Sequence, residues 1–490
     1  MIFNSLDFAV FILVVFTLYW FVFNRNFRVQ NVFIVVASYF FYGWWDWHFL
    51  IMITFTTLCS YYSGLLADKV RQSHGHSDEQ IWYKNKVWWI IAANITVNLV
   101  ILFYYKYYNF FVQNFVDAFS LFGKQLNIST LKIILPVGIS FYTFQALSYS
   151  IDIYMKDTKP TRNIVAFFAY MSFFPKLTAG PVERANDLIP QFLKARKFDY
   201  PSAVDGLRQI LWGLFKKIVV ADNLAVCITY INSHTDTLPG STLLLGSFFS
   251  VLQVYFDFSG YSDIAIGVAR LLGINLSRNF NFPIFATSFA NYWQRNHISM
   301  TRWFMDYIYY PMLGSSHKML YWNYCVICTF LVSGLWHGAN WTFILWGLIH
   351  GILISISTDT LKIQKKFEKR FHLKGVVWYK LIRISIIMFV LSIIGPLFSS
   401  ESIHSAFDYI GKIFSSTLFI KPYGSTYAGK HVVFLVIICL LFEWFQQEKQ
   451  HALQLDGVRS KVLRWAIYIF VIALIFNYGG VQVPFVYFQF

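Results

Sequence analysis

His337 is a titratable side chain set in LVSGLWHGANWTFILWGLIHG, residues 331–351, a run with no Asp, Glu, Lys or Arg. An imidazole enclosed by apolar groups loses basicity through desolvation yet stays close to neutrality, which suits it to take a proton from a hydroxyl. A packed histidine satisfied by a neighbour would leave the same trace, and composition does not choose between the two. Gly334, Gly338 and Asn340 are poor residues for an uninterrupted helix, so a break or bend is expected beside the histidine. A second histidine, His297, stands in NYWQRNHISMTRWFMDY, where it follows Trp293 and Arg295. On one helix His297 and Trp293 would share a face, which also fits a packed or interfacial histidine. His350 would lie about 20 Å from His337 along one continuous helix, too far for direct cooperation, and reads as structural.

Four polar residues, Asp257, Ser259, Tyr261 and Asp263, fall in VYFDFSGYSDIAIG at the end of an apolar run. The two carboxylates do not share a helix face, and Ser259-Gly260 suggests a turn between them. They suit cation binding, orientation of a histidine, or capping of the next helix. Pro175, Gly180 and Pro181 shape the backbone, while Glu183 and Arg184 read as an interfacial ion pair. There is no P-loop, HExxH zinc motif or GxSxG elbow, so neither a nucleotide site nor a metal site is expected. What remains is histidine acid/base chemistry, transport, or a non-catalytic scaffold.

The elements that must position these groups are membrane helices. Of 490 residues, 57% are hydrophobic and 21% aromatic, and only 13% are charged. The formal net charge of +16 lies in short segments between apolar runs, which is the positive-inside pattern rather than a nucleic-acid surface. Apolar runs at 7–23, 29–45, 49–66, 87–105 and 133–153 predict five spans, the first a span and not a removed signal. Arg25, Arg28, Lys69, Arg71, Lys84, Lys86, Lys156, Lys159 and Arg162 place the odd-numbered connectors in the cytoplasm; Lys106, Lys124 and Lys132 run against that alternation. The run 164–182 is broken by Pro175, Lys176, Gly180 and Pro181 and predicts a helix that enters and turns back. Lys216 and Lys217 are expected to snorkel at the cytoplasmic edge of a span over 211–231. Further spans are expected at 242–258, 321–335, 341–358, 384–398, 431–444 and 462–478. Arg270, Arg278, Arg295 and Arg302, interleaved with aromatic residues across 257–314, suit short interfacial helices. The segment carrying Lys362, Lys365, Lys366, Lys369, Arg370, Lys374, Lys380 and Arg383 is the strongest cytoplasmic marker. Five scattered cysteines argue against a disulfide framework.

The ordered stretches ASYFFYGWWDWHFL, FFPKLTAGPVER, VYFDFSGYSDIAIG, NFNFPIFATSFANYWQRNHISMTRWFMDYIYYPMLG, SGLWHGANWTFILWGLIHG and FVYFQF resemble the membrane-bound O-acyltransferase (MBOAT) family in its alginate O-acetyltransferase branch, related also to the D-alanine transfer protein of teichoic-acid modification. The resemblance implies an all-α polytopic membrane protein, with about eleven to twelve transmembrane helices plus re-entrant and interfacial pieces around a central tunnel. It would be one domain: N-terminal spans over 1–163, a catalytic core over 164–360 and C-terminal spans over 361–490. The family's catalytic base falls on His337 and its second histidine on His297. Asn296, where a Trp is usual, and Gln294, where a basic residue is usual, depart from the pattern. Trp336, Asn340 and Trp341 are the expected donors to an oxyanion, with Asp257, Ser259, Tyr261, Asp263, Arg295, Pro175, Gly180 and Pro181 in supporting or tunnel positions. The implied activity is O-acyl transfer, foremost O-acetyl transfer, with no permanently bound cofactor. The donor would be acetyl-coenzyme A or an acyl carrier protein thioester, and the acceptor a cell-envelope or exopolysaccharide. A periplasmic partner acyltransferase, membrane lipid and the bacterial cytoplasmic membrane complete the expectation, with no nucleic acid. A transporter or flippase of an acyl carrier, and a scaffold for a secreted acyltransferase, are the alternatives.

Overall fold

The computed structural model describes the chain except residues 75–85, 122–129, 132–133, 423–429, 481 and 487–490. Lys84, Lys124, Lys132 and the last four residues of FVYFQF therefore lie outside the described residues. Regular structure among the described residues is entirely helical, as expected. Among the described residues, seven helices are long and apolar enough to cross a membrane: His48–Ser73, Lys86–Ser120, Gly240–Leu271, Met319–His337, Trp341–Asp359, Val377–Ser399 and Lys461–Tyr478. Leu6–Val22 and His431–Phe445 are shorter apolar helices. The other expected crossings fall on Phe27–Gly43 and Ile139–Met155, 17 residues each, and on a run from 200 to 233 interrupted by a π-helical segment. The cysteines are all free thiols.

The chain divides into two compact units, Met1–Gly206 with Val268–Ser277, and Leu207–Gly267 with Arg278–Phe490. In the first, Asn94 joins three helices: its amide donates to Ser150 Oγ at 2.7 Å and to Ser60 Oγ at 3.3 Å. Side-chain amides and hydroxyls are adhesive in this setting because apolar surroundings offer no competing water. The expected interruption of this run appears as Ile164–Ser172, a break at Phe173, and a single turn Phe174–Leu177. Pro175, Gly180 and Pro181 are all buried here. The Phe174 N–H freed by the break donates to Ser38 Oγ at 3.1 Å, so the interruption is satisfied by protein. A side chain at Gly180 would run into the Lys176 backbone, which explains the residue type.

The second unit is built on a hairpin of Met319–His337 and Trp341–Asp359. Helix one ends at His337; Gly338 is extended; and Asn340 caps the next helix by accepting from Thr342 N–H at 3.0 Å. The expected break beside the histidine is thus a tight turn between two spans. Across the hairpin, a Cβ at Gly334 would meet the Phe343 carbonyl, and one at Gly347 the Phe330 carbonyl. Gly351 likewise faces the Ile327 backbone. Gly347 and Gly351 form a GxxxG pair, the spacing that lets membrane helices touch along their backbones. We expect Gly347→Leu to lower stability by about 1–3 kcal/mol or more, because the hairpin has no room for the added carbons. Thermal unfolding of the purified protein in detergent, compared with exposed Leu361→Ala, would measure this.

Candidate active site

The hairpin turn leaves His337 only 4% exposed although it ends a span. Its ring lies between Trp346, centroids 5.3 Å apart, and Phe398 at 5.6 Å, both roughly edge-on. Trp346 in turn lies 4.4 Å from His350, whose Nδ1 accepts from Trp293 Nε1–H at 3.2 Å. The distance along a continuous helix does not apply, since the chain reverses between the two histidines. His350 therefore faces the same interior as His337, an association that linear spacing concealed.

His297 arrives by a different device. Trp293 ends up within the short helix Phe289–Arg295, whereas His297 is the N-cap of the next, Ile298–Phe304, with φ of 45°. The expected shared face does not exist, because the chain turns between the two residues. A non-glycine residue in the left-handed region is strained and needs its surroundings to hold it. Asn279 supplies that hold: its carbonyl accepts from Ile298 N–H at 2.8 Å, and its side-chain oxygen accepts from Ser299 Oγ at 2.9 Å and faces His297 Nδ1 at 3.3 Å. With Asn279 Oδ1 as acceptor, the proton of a neutral His297 sits on Nδ1 and its lone pair on Nε2. Burial pushes the imidazole down to about 3, so it is neutral at ordinary pH.

His297, His337 and His350 line one partly open pocket with about 740 Å³ of empty space, some of it continuous with solvent, and Trp293, Trp346, Phe258, Phe280 and Phe398 are among its aromatic walls. Its polar groups besides the histidines include Ser250, Tyr255, Tyr292 and Asn296. Asn296, the departure noted in the sequence, is thus part of the wall. The expected oxyanion donors are elsewhere. Trp341 is 54% exposed, Trp336 does not line the cavity, and the Asn340 amide donates to the Glu401 carbonyl at 2.7 Å. Arg295 is also absent from the lining; its guanidinium reaches the Asn281 carbonyl at 3.4 Å. Pro175, Gly180 and Pro181 belong to the other unit.

Asp257, Ser259, Tyr261 and Asp263 do not line the pocket and lie instead in a buried cluster of ion pairs, hydrogen bonds and ring contacts. Gly240–Leu271 passes through Ser259-Gly260 without the expected turn, because the backbone is fully helical there. Lys216 and Lys217 do not snorkel: they are 3% and 1% exposed. The π-helical segment Phe215–Ala221 carries both lysines at consecutive, buried positions. Lys217 Nζ lies 2.8 Å from Asp222, 2.7 Å from Asp257 and 2.9 Å from the Val483 carbonyl. Lys216 Nζ lies 2.6 Å from Asp263 and 2.9 Å from Ser259 Oγ, with Glu443 at 3.9 Å. Tyr261 stacks on Phe485 at 4.7 Å, and Val486 N–H donates to Asp257 at 2.8 Å. The signal for this cluster was in the sequence, as two lysines and several acids inside apolar runs, but partner choice needed the fold. Tyr255 connects it to the cavity, donating to Glu443 Oε2 at 2.9 Å while forming part of the wall.

The fold defines a multi-pass membrane protein whose second unit holds a pocket lined by three histidines. The model of the "MBOAT, membrane-bound O-acyltransferase family" matches residues 160–400. A probable alginate O-acetylase of Pseudomonas putida is 33% identical over 94% of this chain and 95% of its own length. A probable alginate O-acetylase of Azotobacter vinelandii is 38% identical over 67% of this chain, which spans 63% of that relative. A peptidoglycan O-acetyltransferase of Helicobacter pylori is 31% identical over 70% of this chain and 67% of its own. The chain belongs to the membrane-bound O-acyltransferase family, which makes it an enzyme of the O-acyltransferase class.

Removing one partner from the buried ion cluster should be more damaging than removing all of them. Lys217→Met leaves Asp222 and Asp257 facing each other's charge and is expected to cost about 3–5 kcal/mol. The triple change with Asp222→Asn and Asp257→Asn should recover much of that loss, as read from yield and thermal unfolding in detergent.

Proposed function

We propose that the protein moves an acetyl group from a cytoplasmic thioester onto an acceptor or carrier hydroxyl, across or into the membrane, for modification of an envelope or extracellular glycan, with His337 as general base. The observation that carries this is that His337 and His297, forty residues apart, line the same pocket. His337 removes the acceptor's hydroxyl proton as that oxygen attacks the thioester carbonyl. The tetrahedral intermediate collapses, the C–S bond breaks, and the imidazolium returns its proton to the departing thiolate, so no proton is gained or lost overall. Developing charge on the carbonyl oxygen would be met by donors of the cavity wall, for which Tyr292 and Asn296 are the available groups in place of Asn340, Trp336 and Trp341. His297, neutral and held by Asn279, acts as an orienting group on the donor side.

The donor is acetyl-coenzyme A or an acyl carrier protein thioester, which the Lys/Arg-rich segment 362–383 would attract from the cytoplasm. No permanently bound cofactor takes part. The protein works in the bacterial cytoplasmic membrane, handing the acyl group on with a periplasmic partner acyltransferase. The relatives named for alginate and peptidoglycan acetylation support a glycan acceptor.

General-base assistance is worth about 100- to 10,000-fold, so His337→Ala should reduce transfer by that range with normal membrane expression. Reconstituted protein given labelled acetyl-coenzyme A and acceptor should form a labelled ester. Label that crosses the bilayer without ester formation would instead establish a transporter, and unchanged polymer acetylation in cells carrying His337→Ala would establish a scaffold.

A further inference from the structure

Between the spans Trp341–Asp359 and Val377–Ser399 stands a ten-residue helix, Leu361–Arg370. Only its Gln364 and Glu368 are half-buried; the other eight residues are exposed. These two lie one turn apart and face Arg383, whose Nη1 is 2.6 Å from Glu368 Oε1 and whose guanidinium also meets the Gln364 amide. Arg383 further donates to the Thr287 carbonyl at 2.9 and 2.6 Å. One side of the helix is thus tied to the protein, which fixes its roll.

The remaining sides are unlike. Ile363, Phe367 and Phe371 recur every fourth residue and form an apolar stripe. They are 69%, 49% and 54% exposed, and the two phenylalanine rings lie 4.7 Å apart. Lys362, Lys365, Lys366 and Lys369 follow the i, i+3, i+4, i+7 spacing of a single face, roughly opposite the stripe. Among the described residues none of these four lysines is in an ion pair. At the boundary between the two faces Arg370 lies over the Phe371 ring at 5.7 Å.

What covers the stripe follows from the connections. Thr360 alone separates the helix from the span before it, and residues 371–376 separate it from the span after it. Tethered so closely at both ends, the helix stays where the spans emerge, and its stripe meets either water or the bilayer boundary. Burying three large apolar side chains favours the bilayer. A helix with lysines on one face and aromatic residues on the other lies in the interface, its apolar side at the acyl boundary. Anionic headgroups then supply the counter-charges that the protein withholds from the lysines.

We propose that Leu361–Arg370 lies in the membrane surface and binds anionic phospholipid, with Ile363, Phe367 and Phe371 inserted and Lys362, Lys365, Lys366 and Lys369 holding the headgroup phosphates. This contact is independent of the acyl-transfer reading. Arg383 links it to Thr287, two residues before the helix that brings Trp293 to the histidine pocket.

Full-length protein, with the half-buried Cys59 and Cys328 changed to alanine, would be placed in nanodiscs of equal phosphatidylglycerol and phosphatidylcholine. One nitroxide at a time would be attached at Ile363→Cys, Phe367→Cys, Lys365→Cys or Lys369→Cys. Oxygen dissolved in lipid should relax the first two labels, and a water-soluble nickel chelate the last two. Equal access of the chelate to all four would mean a stripe open to water or to a soluble partner, and would overturn the proposal. Native mass spectrometry of protein released from the same nanodiscs should show phosphatidylglycerol enriched. Changing Lys362, Lys365, Lys366 and Lys369 together to glutamine should lower the retained phosphatidylglycerol at least about fivefold, the effect of one lysine at an anionic surface. The matching arginine variant should keep it. Unchanged phosphatidylglycerol in the glutamine variant, or its loss from both variants, would overturn anionic-lipid binding.

Discussion

Backbone-to-backbone contact between the helices Met319–His337 and Trp341–Asp359 is the constraint on which the site depends. In lipid, helices gain little from burying apolar side chains, since the surroundings are equally apolar, so close packing and hydrogen bonding decide which faces meet. Glycines at 334, 347 and 351 remove the side chains that would hold these two helices apart. The resulting contact turns a sequence separation into spatial adjacency. His337 and His350 come to lie on either side of Trp346, and the end of a span becomes an interior position.

A second constraint acts on the long helix Gly240–Leu271, which supplies Ser250, Tyr255 and Phe258 to the cavity wall. Its Asp257 and Asp263 are tied to consecutive lysines of a π-helical segment, and the chain near Val483 and Val486 closes over one of them. Charges so deeply buried are stable only as a complete set, because isolated ions lose their hydration without compensation. The cluster therefore ties the helix that carries this wall to Phe215–Ala221 and to Glu443.

The histidines are positioned by unlike means, which fits unlike duties. His337 terminates a helix and is packed by rings, while His297 is held in a strained conformation with one nitrogen directed at Asn279. Strain of this kind persists when surrounding structure over-determines it, and it often accompanies a functional position. Ser250 stands between an apolar-walled pocket on one side and a hydroxyl-rich one on the other.

By itself, the sequence determined the class of the protein. A chain with 57% hydrophobic residues and charges confined between apolar runs can bury its backbone only as membrane helices. The break beside His337 was also legible, because Gly338 and Asn340 carry local conformational information. So was the interruption near Pro175, where freed backbone groups demand burial. Tertiary structure alone decided which polar groups meet. Lys216 and Lys217 looked like edge residues because a lysine near the end of a span is inexpensive there, and only the fold reveals the acids that repay moving them inward. Trp336, Asn340 and Trp341 looked available because they adjoin His337 in the chain, yet a helix terminus sends neighbouring side chains in different directions. Local conformation follows from nearby residues, whereas a cavity is made by residues whose sequence separation carries no such information.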